Sequence, residues 1–338
     1  MVVRLVGRFS IILLAIFSTF LGPSGCVQST EQHRLAEFNH AKPWDGVSAD
    51  ELDHDLVRRY QGKPFQCSRA ANHTPEETPV AARAFADFVK YSAHGDSVPD
   101  FWMNESSRHK RKQLLADAVE AGSWKAAYVD AVWAFHLAED NATMQRSGNR
   151  LASLVKRGIP IAAYTYATYL DQAPGEQDRL LNEAIIRGSP DAMAVVGGTM
   201  VVRSRKLRPV GKAMLECALS QGNADAYASL GKIADMEGRE VDAYKLWEKG
   251  VNSGCRDCLD HMLAVAKVRP GYTSATPRGD LVPELKAIHN FLDKSSLYEW
   301  TRLPELATPL PSNLSFHVSD AELLKLLELQ ANMRDVGN

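Results

Sequence analysis

The sequence predicts an all-α protein, a solenoid of helix-turn-helix repeats, and three features of one recurring pattern predict it. A glycine returns at Gly122, Gly158, Gly188, Gly222 and Gly254, at intervals of 36, 30, 34 and 32 residues. Seven positions before each stands a large apolar residue: Leu115, Leu151, Leu181, Leu215 and Trp247. Four positions after each stands a small one: Ala126, Ala162, Ala192, Ala226 and Cys258. Glycine suits a helix C-terminus, where the left-handed conformation costs a residue with a Cβ more. A small residue one turn into the next helix lets two backbones approach. The stretch SQGNADAYASLG (220–231) is thus read as the turn between paired helices. Such a unit cannot bury its apolar stripe alone, so it stacks on its neighbours.

Taken in chain order, residues 1–25 read as a signal segment. Arg4 and Arg8 precede an apolar run of about fourteen residues, FSIILLAIFSTFLG, the size of a secretory h-region. A bilayer-spanning helix needs roughly 20 such residues. Ser24 and Gly25 before Cys26 resemble a bacterial lipobox, which implies that Cys26 is acylated, although Pro23 stands where an aliphatic residue is usual. A plain secretory signal is the simpler alternative. Residues 26–63 are expected to be a linker, 64–113 an N-terminal helical cap and 114–268 the solenoid. Residues 269–338 are expected to form a proline-containing extension with a terminal helix. The 45% hydrophobic and 24% charged composition is that of a globular protein. A net charge of −2 argues against a nucleic-acid binder. Removing Arg4 and Arg8 with the signal leaves 37 basic against 41 acidic side chains, a formal −4.

The units near 211–263 carry a resemblance. Gly222, Ala226, Tyr227, Leu230 and Gly231, followed by Asp242, Ala243, Tyr244 and Trp247, resemble a Sel-one-like repeat, a relative of the tetratricopeptide repeat. This resemblance implies a right-handed α-solenoid. Units near 151 and 180 are degenerate, with Arg150 at an apolar position and Pro160 close behind Gly158. The segment PFQCSRAANHTPEETPVAARAFADFVKYSA (64–93), with its Phe65-Gln-Cys67 motif, is similar to the N-terminal domain of a bacterial lipoprotein family carrying these repeats. LPELATPLPSNLSF (303–316) resembles that family's closing segment. Members act as periplasmic immunity proteins against phospholipase-type effectors of the type VI secretion system. The resemblance therefore implies a protein partner of that type, with membrane contact only through an N-terminal lipid anchor. Val27 after Cys26 favours the outer membrane.

The sequence holds no G-x-S-x-G elbow, H-E-x-x-H helix or phosphate loop. His109 with Lys110 departs from the phospholipase D pattern because Arg111 occupies the lysine position. Asp257 and Asp260 read as a solvated helix face. No catalytic residue, metal or cofactor is expected, and the protein is read as a binder rather than an enzyme. Cys255-Arg-Asp-Cys258 lacks the strand before it that a thioredoxin-like site needs, and Cys67 and Cys217 lack zinc spacing. Cys255 and Cys258 are read as packed thiols or a local disulfide. RHKRK (108–112) and RSRKLR (203–208) read as solvated helix ends or, functionally, as basic surfaces. Expected partner-binding residues are Tyr166 and Tyr169, facing the concave side, with Arg203, Arg205, Lys206 and Arg208 in a variable loop. The expected function is immunity against an effector; an envelope repeat scaffold is the alternative.

Overall fold

The structure, a computed structural model, describes residues 59–60, 62–95, 105–170, 174–268, 285–288, 302–303 and 306. Cys26 and most of 303–316 lie outside the described residues. Eleven α-helices are described: α1 (Pro79–Gly95), α2 (Glu105–Glu120), α3 (Trp124–His136), α4 (Asn141–Lys156), α5 (Pro160–Tyr169), α6 (Pro174–Ile186), α7 (Pro190–Arg203), α8 (Arg208–Ser220), α9 (Ala226–Met236), α10 (Glu240–Asn252) and α11 (Arg256–Val268). No strand occurs among the described residues. No described helix is long and apolar enough to cross a membrane. The fold is an all-α solenoid of stacked hairpins.

The recurring glycines close helices in the way the pattern predicts. All five have φ between 85° and 89°. At each, the amide of the next residue donates to a carbonyl five residues back, as in Ser189 N to Ala184 O at 2.8 Å and Asn223 N to Ala218 O at 3.1 Å. This six-to-one bond satisfies a carbonyl that the ending helix leaves open. At four of the five, all but Ile159, the side chain of the residue after the glycine then accepts from the first turn of the next helix. Ser123 Oγ, Ser189 Oγ, Asn223 Oδ1 and Cys255 Sγ accept from the amides of Ala126, Ala192, Ala226 and Cys258. A cap of this kind is worth about 1 kcal/mol. The small residue at each +4 position is fully buried, and the large apolar residues at −7 are buried.

The pairing frame differs from the one the sequence suggests. Helices flanking a glycine turn pack less closely than the helices that follow each other across the other set of loops: α1 with α2, α3 with α4, α5 with α6, α7 with α8, and α9 with α10. SQGNADAYASLG therefore joins two hairpins rather than the helices of one. Contacts that do not recur in every unit produce the tighter pairs. A Cβ on Gly197 would lie 2.8 Å from Gly211 O, and one on Gly211 2.6 Å from Gly197 O, so α7 and α8 meet backbone to backbone. In the next hairpin the Trp247 indole lies over Gly231 and donates to Ala228 O at 3.3 Å.

Three apolar clusters follow one another along the stack. The first gathers Phe85, Phe88, Tyr128 and Leu151, the second Leu180, Met193 and Met214, the third Trp247, Leu259 and Met262. α2 runs unbroken through the expected boundary at 113/114, with Arg111, Leu115 and Ala118 on its buried side. Helices α5, α7, α9 and α11 also approach their odd-numbered neighbours, which the even-numbered helices do not do to the same extent. The odd helices thus line the inner, concave side.

Residues 62–77 form a strap across the glycine-turn edge. Cys67 is bonded to Cys217 on α8, and Phe65 packs against the middle cluster. Gln221 accepts from Ala70 N at 2.9 Å and donates to Ser68 O at 3.1 Å. Glu77 accepts from Ser123 Oγ at 2.6 Å. The Phe-x-Cys motif thereby acquires a structural role: one side chain packs against the core and the other closes a covalent link.

Candidate functional site

The concave side holds a cavity of about 400 Å³ between α5, α7, α9 and α11. Its acidic wall comes from one register of the repeat. Asp191, Asp225 and Asp257 each stand three positions after a recurring glycine, in three successive units. Stacking equivalent units places equivalent residues in a column. Lys232, His261 and Arg302 supply the basic side chains of the lining, and Tyr164, Val195 and Thr199 complete its mouth.

Asp191 is 5% exposed and accepts from Asn223 Nδ2 at 3.0 Å. Burial raises its pKa to about 7; the Arg302 guanidinium opposes that rise and the Asp225 carboxylate adds to it. Asp225 is raised as well, first by burial, with Arg302 again opposing and Asp257 adding. Burial also lowers the His261 imidazole, and nearby Lys232 lowers it further. Arg302 forms an ion pair with Asp225. It reaches the groove from a backbone with φ 55°, the one non-glycine residue with positive φ among the described residues. Leu303 and Leu306, buried in the first cluster, fix its segment to the fold.

The expected binding residues are distributed differently. Tyr166 packs between the first and second clusters, and Tyr164, two residues earlier, is the tyrosine that lines the groove. Tyr169 lies at the end of α5, 37% exposed, stacked on Phe135 and edge-on to His136. Arg205 and Lys206 are exposed in the α7–α8 loop, and Arg208 opens α8, 4.0 Å from Glu237. The side chain of Arg203 lies outside the described residues. Tyr169 and the basic loop share the hairpin-loop edge, opposite the glycine turns. Arg111, in the other basic run, is buried on α2 with its guanidinium 5.8 Å from the Trp133 ring centre. Cys255 is bonded to Cys258 at the start of α11. Among the described residues no cluster of His, Cys, Asp and Glu is disposed to hold a metal. The carboxylate column went unread in the sequence, although the third position after the glycine carries its signal.

The groove and the stacked hairpins define an α-solenoid repeat protein with a charged concave surface. No protein-family profile matches the chain, and no curated protein does. Immunity protein Pa5087 from Pseudomonas aeruginosa is similar in structure at 18% identity, over 75% of this chain and 92% of that one, with a TM-score of 0.50. Immunity protein PA5088 from the same organism is similar at 20% identity, over 74% of this chain and 95% of that one, also with a TM-score of 0.50. A Sel1 repeat protein from Oxalobacter formigenes is more distant, at 11% identity over 81% and 96% with a TM-score of 0.32. The first two likenesses establish a shared fold.

Proposed function

We propose that this chain is an immunity protein that binds and neutralises a phospholipase-type effector of the type VI secretion system in the periplasm. On this reading it is a lipoprotein held at the outer membrane through Cys26. The observation that carries the proposal is the cavity-bearing concave face of a fold shared with two immunity proteins. Two disulfides among the described cysteines suit an oxidising compartment. An inhibitor of a lipase need not react; covering the active-site mouth or blocking approach to the membrane suffices. An interface of standard size takes about 800 Å² per partner, which several stacked repeats supply.

The test pairs this chain with the product of a neighbouring effector gene. A stable complex is expected, with protection of a sensitive strain when the chain is exported and loss of protection when residues 1–25 are deleted. Cys26→Ser should move the protein from the membrane to the soluble fraction, because acyl chains provide the anchor. If the purified protein neither binds nor inhibits any adjacent effector, the envelope-scaffold reading replaces this one.

A further inference from the structure

We propose that the carboxylate column of the groove is an arginine site, filled within the chain by Arg302 and taken over by an arginine of the partner protein. The inference rests on the immunity reading for its partner and on the groove alone for its chemistry. A guanidinium already sits at the acidic wall, ion-paired to Asp225. The chain delivers it from a left-handed backbone, a conformation rare for residues with a Cβ and found where surrounding structure imposes it. Leu303 and Leu306, which follow it in the chain, are buried in the first cluster, so the arginine is positioned rather than draped.

The site has room for an exchange. About 400 Å³ remains beside Arg302, within the range of ligand-binding cavities. Three aspartates line it against Lys232 and Arg302. The ion pair is half-buried, with the Arg302 side chain 33% exposed and that of Asp225 29%, so one side of it meets solvent. An incoming side chain reaches Asp225 without unfolding anything. Only the Arg302 side chain has to leave; Leu303 and Leu306 remain packed. A planar guanidinium spreads five donors in a fixed fork, which suits a wall of neighbouring carboxylates better than the compact ammonium of lysine. Arg302 then acts as a built-in competitor that keeps the column neutralised until the partner arrives.

The probe is N-acetyl-arginine methylamide, titrated calorimetrically into the full mature chain. Arg302→Ala should bind it at least about tenfold more tightly than wild type, and Asp225→Asn in that background should abolish the gain, because charge-assisted fork contacts carry the affinity. The lysine analogue should bind at least about tenfold more weakly. Free arginine should also bind more weakly, since its carboxylate would face Asp191 and Asp257. Equal binding by R302A and R302A/D225N, or by the arginine and lysine probes, overturns the assignment. Should R302A not fold, Arg302→Lys decides: it keeps the charge but not the fork, so it must bind the arginine probe more tightly than wild type, and equality refutes the site. With the cognate effector, D225N should weaken the complex at least about tenfold. A complex unaffected by D225N overturns the arginine site and leaves the immunity reading standing. Absence of any complex with wild type overturns the immunity reading, and the probe still decides the site.

Discussion

Replacing Gly188 with alanine should destabilise the protein about twice as much as replacing Gly222, though both sit at the same point of the repeat. Both have a positive φ, 85° and 87°, so each alanine is forced into the left-handed region at roughly 1–2 kcal/mol. At Gly222 nothing lies within 4 Å of the new Cβ, and that cost is the whole of it. At Gly188 the Cβ falls 2.4 Å from Arg69 C and 2.5 Å from Ala70 N, backbone atoms of the strap. The strap must lift, and lifting breaks the two bonds from Gln221 to Ser68 and Ala70. At about 1 kcal/mol for each bond, the total reaches roughly 3–4 kcal/mol. Urea denaturation of the oxidised proteins measures both losses. Trypsin supplies a local readout, because Arg69 should become cleavable in G188A and stay protected in G222A. Equal destabilisation of the two variants, or equal protection of Arg69, would refute the account of the strap as the second constraint on Gly188.

Two further outcomes follow from the same geometry. Replacing Cys67 and Cys217 with alanine releases a loop closed over 150 residues, which chain entropy values at up to about 5 kcal/mol; the Cys255–Cys258 link, three residues apart, is worth about 2 kcal/mol. Melting of the two double mutants should keep that order, and the Cys255 and Cys258 pair should be removable without loss of partner binding. Asp191, with Arg302, Asp225, Asn223 and Tyr164 around it, has a folded pKa raised from 3.8 to about 7. Its contribution is therefore full below pH 3.8 and lost as pH rises to about 7, a swing of at most about 4 kcal/mol. Asp191→Asn should flatten that part of the stability profile, and an unchanged profile would sink the assignment.

How far the sequence discloses this fold depends on the range of the interaction. The glycine, the apolar residue seven before it and the small residue four after it are local requirements repeated in every unit, so their period is visible. The hairpin frame is set by Gly197 against Gly211 and by Trp247 over Gly231, contacts that do not recur in every unit and so leave no period. The Cys67–Cys217 link spans 150 residues, and connectivity of this kind cannot be read from spacing. The tyrosines of α5 show how register decides the site. Two residues turn a helix by about 200°, and Tyr164 lines the groove while Tyr166, half-buried, packs between two clusters. The aspartate column recurs three residues after Gly188, Gly222 and Gly254. An acid in the first turn of a helix is ordinary, since the helix dipole favours it, and burial is what distinguishes Asp191.

Charge is where composition misleads most. A formal −2 on 338 residues suggests a surface with no preference. The fold sorts that near-neutral total into opposite surfaces. The register three after each glycine sends Asp191, Asp225 and Asp257 to the concave groove, while Arg205 and Lys206 stand on the hairpin-loop edge beside the end of α7. On that edge Glu237 holds Arg239 at 2.6 Å and lies 4.0 Å from Arg208, so acidic and basic side chains share it. The strap covers the glycine-turn edge at Gly188 and Gln221. Like charge opposite the groove is costly and opposite charge speeds encounter, so under the proposed arginine site the groove would favour a partner that presents arginine to Asp225, although composition alone shows almost no net charge.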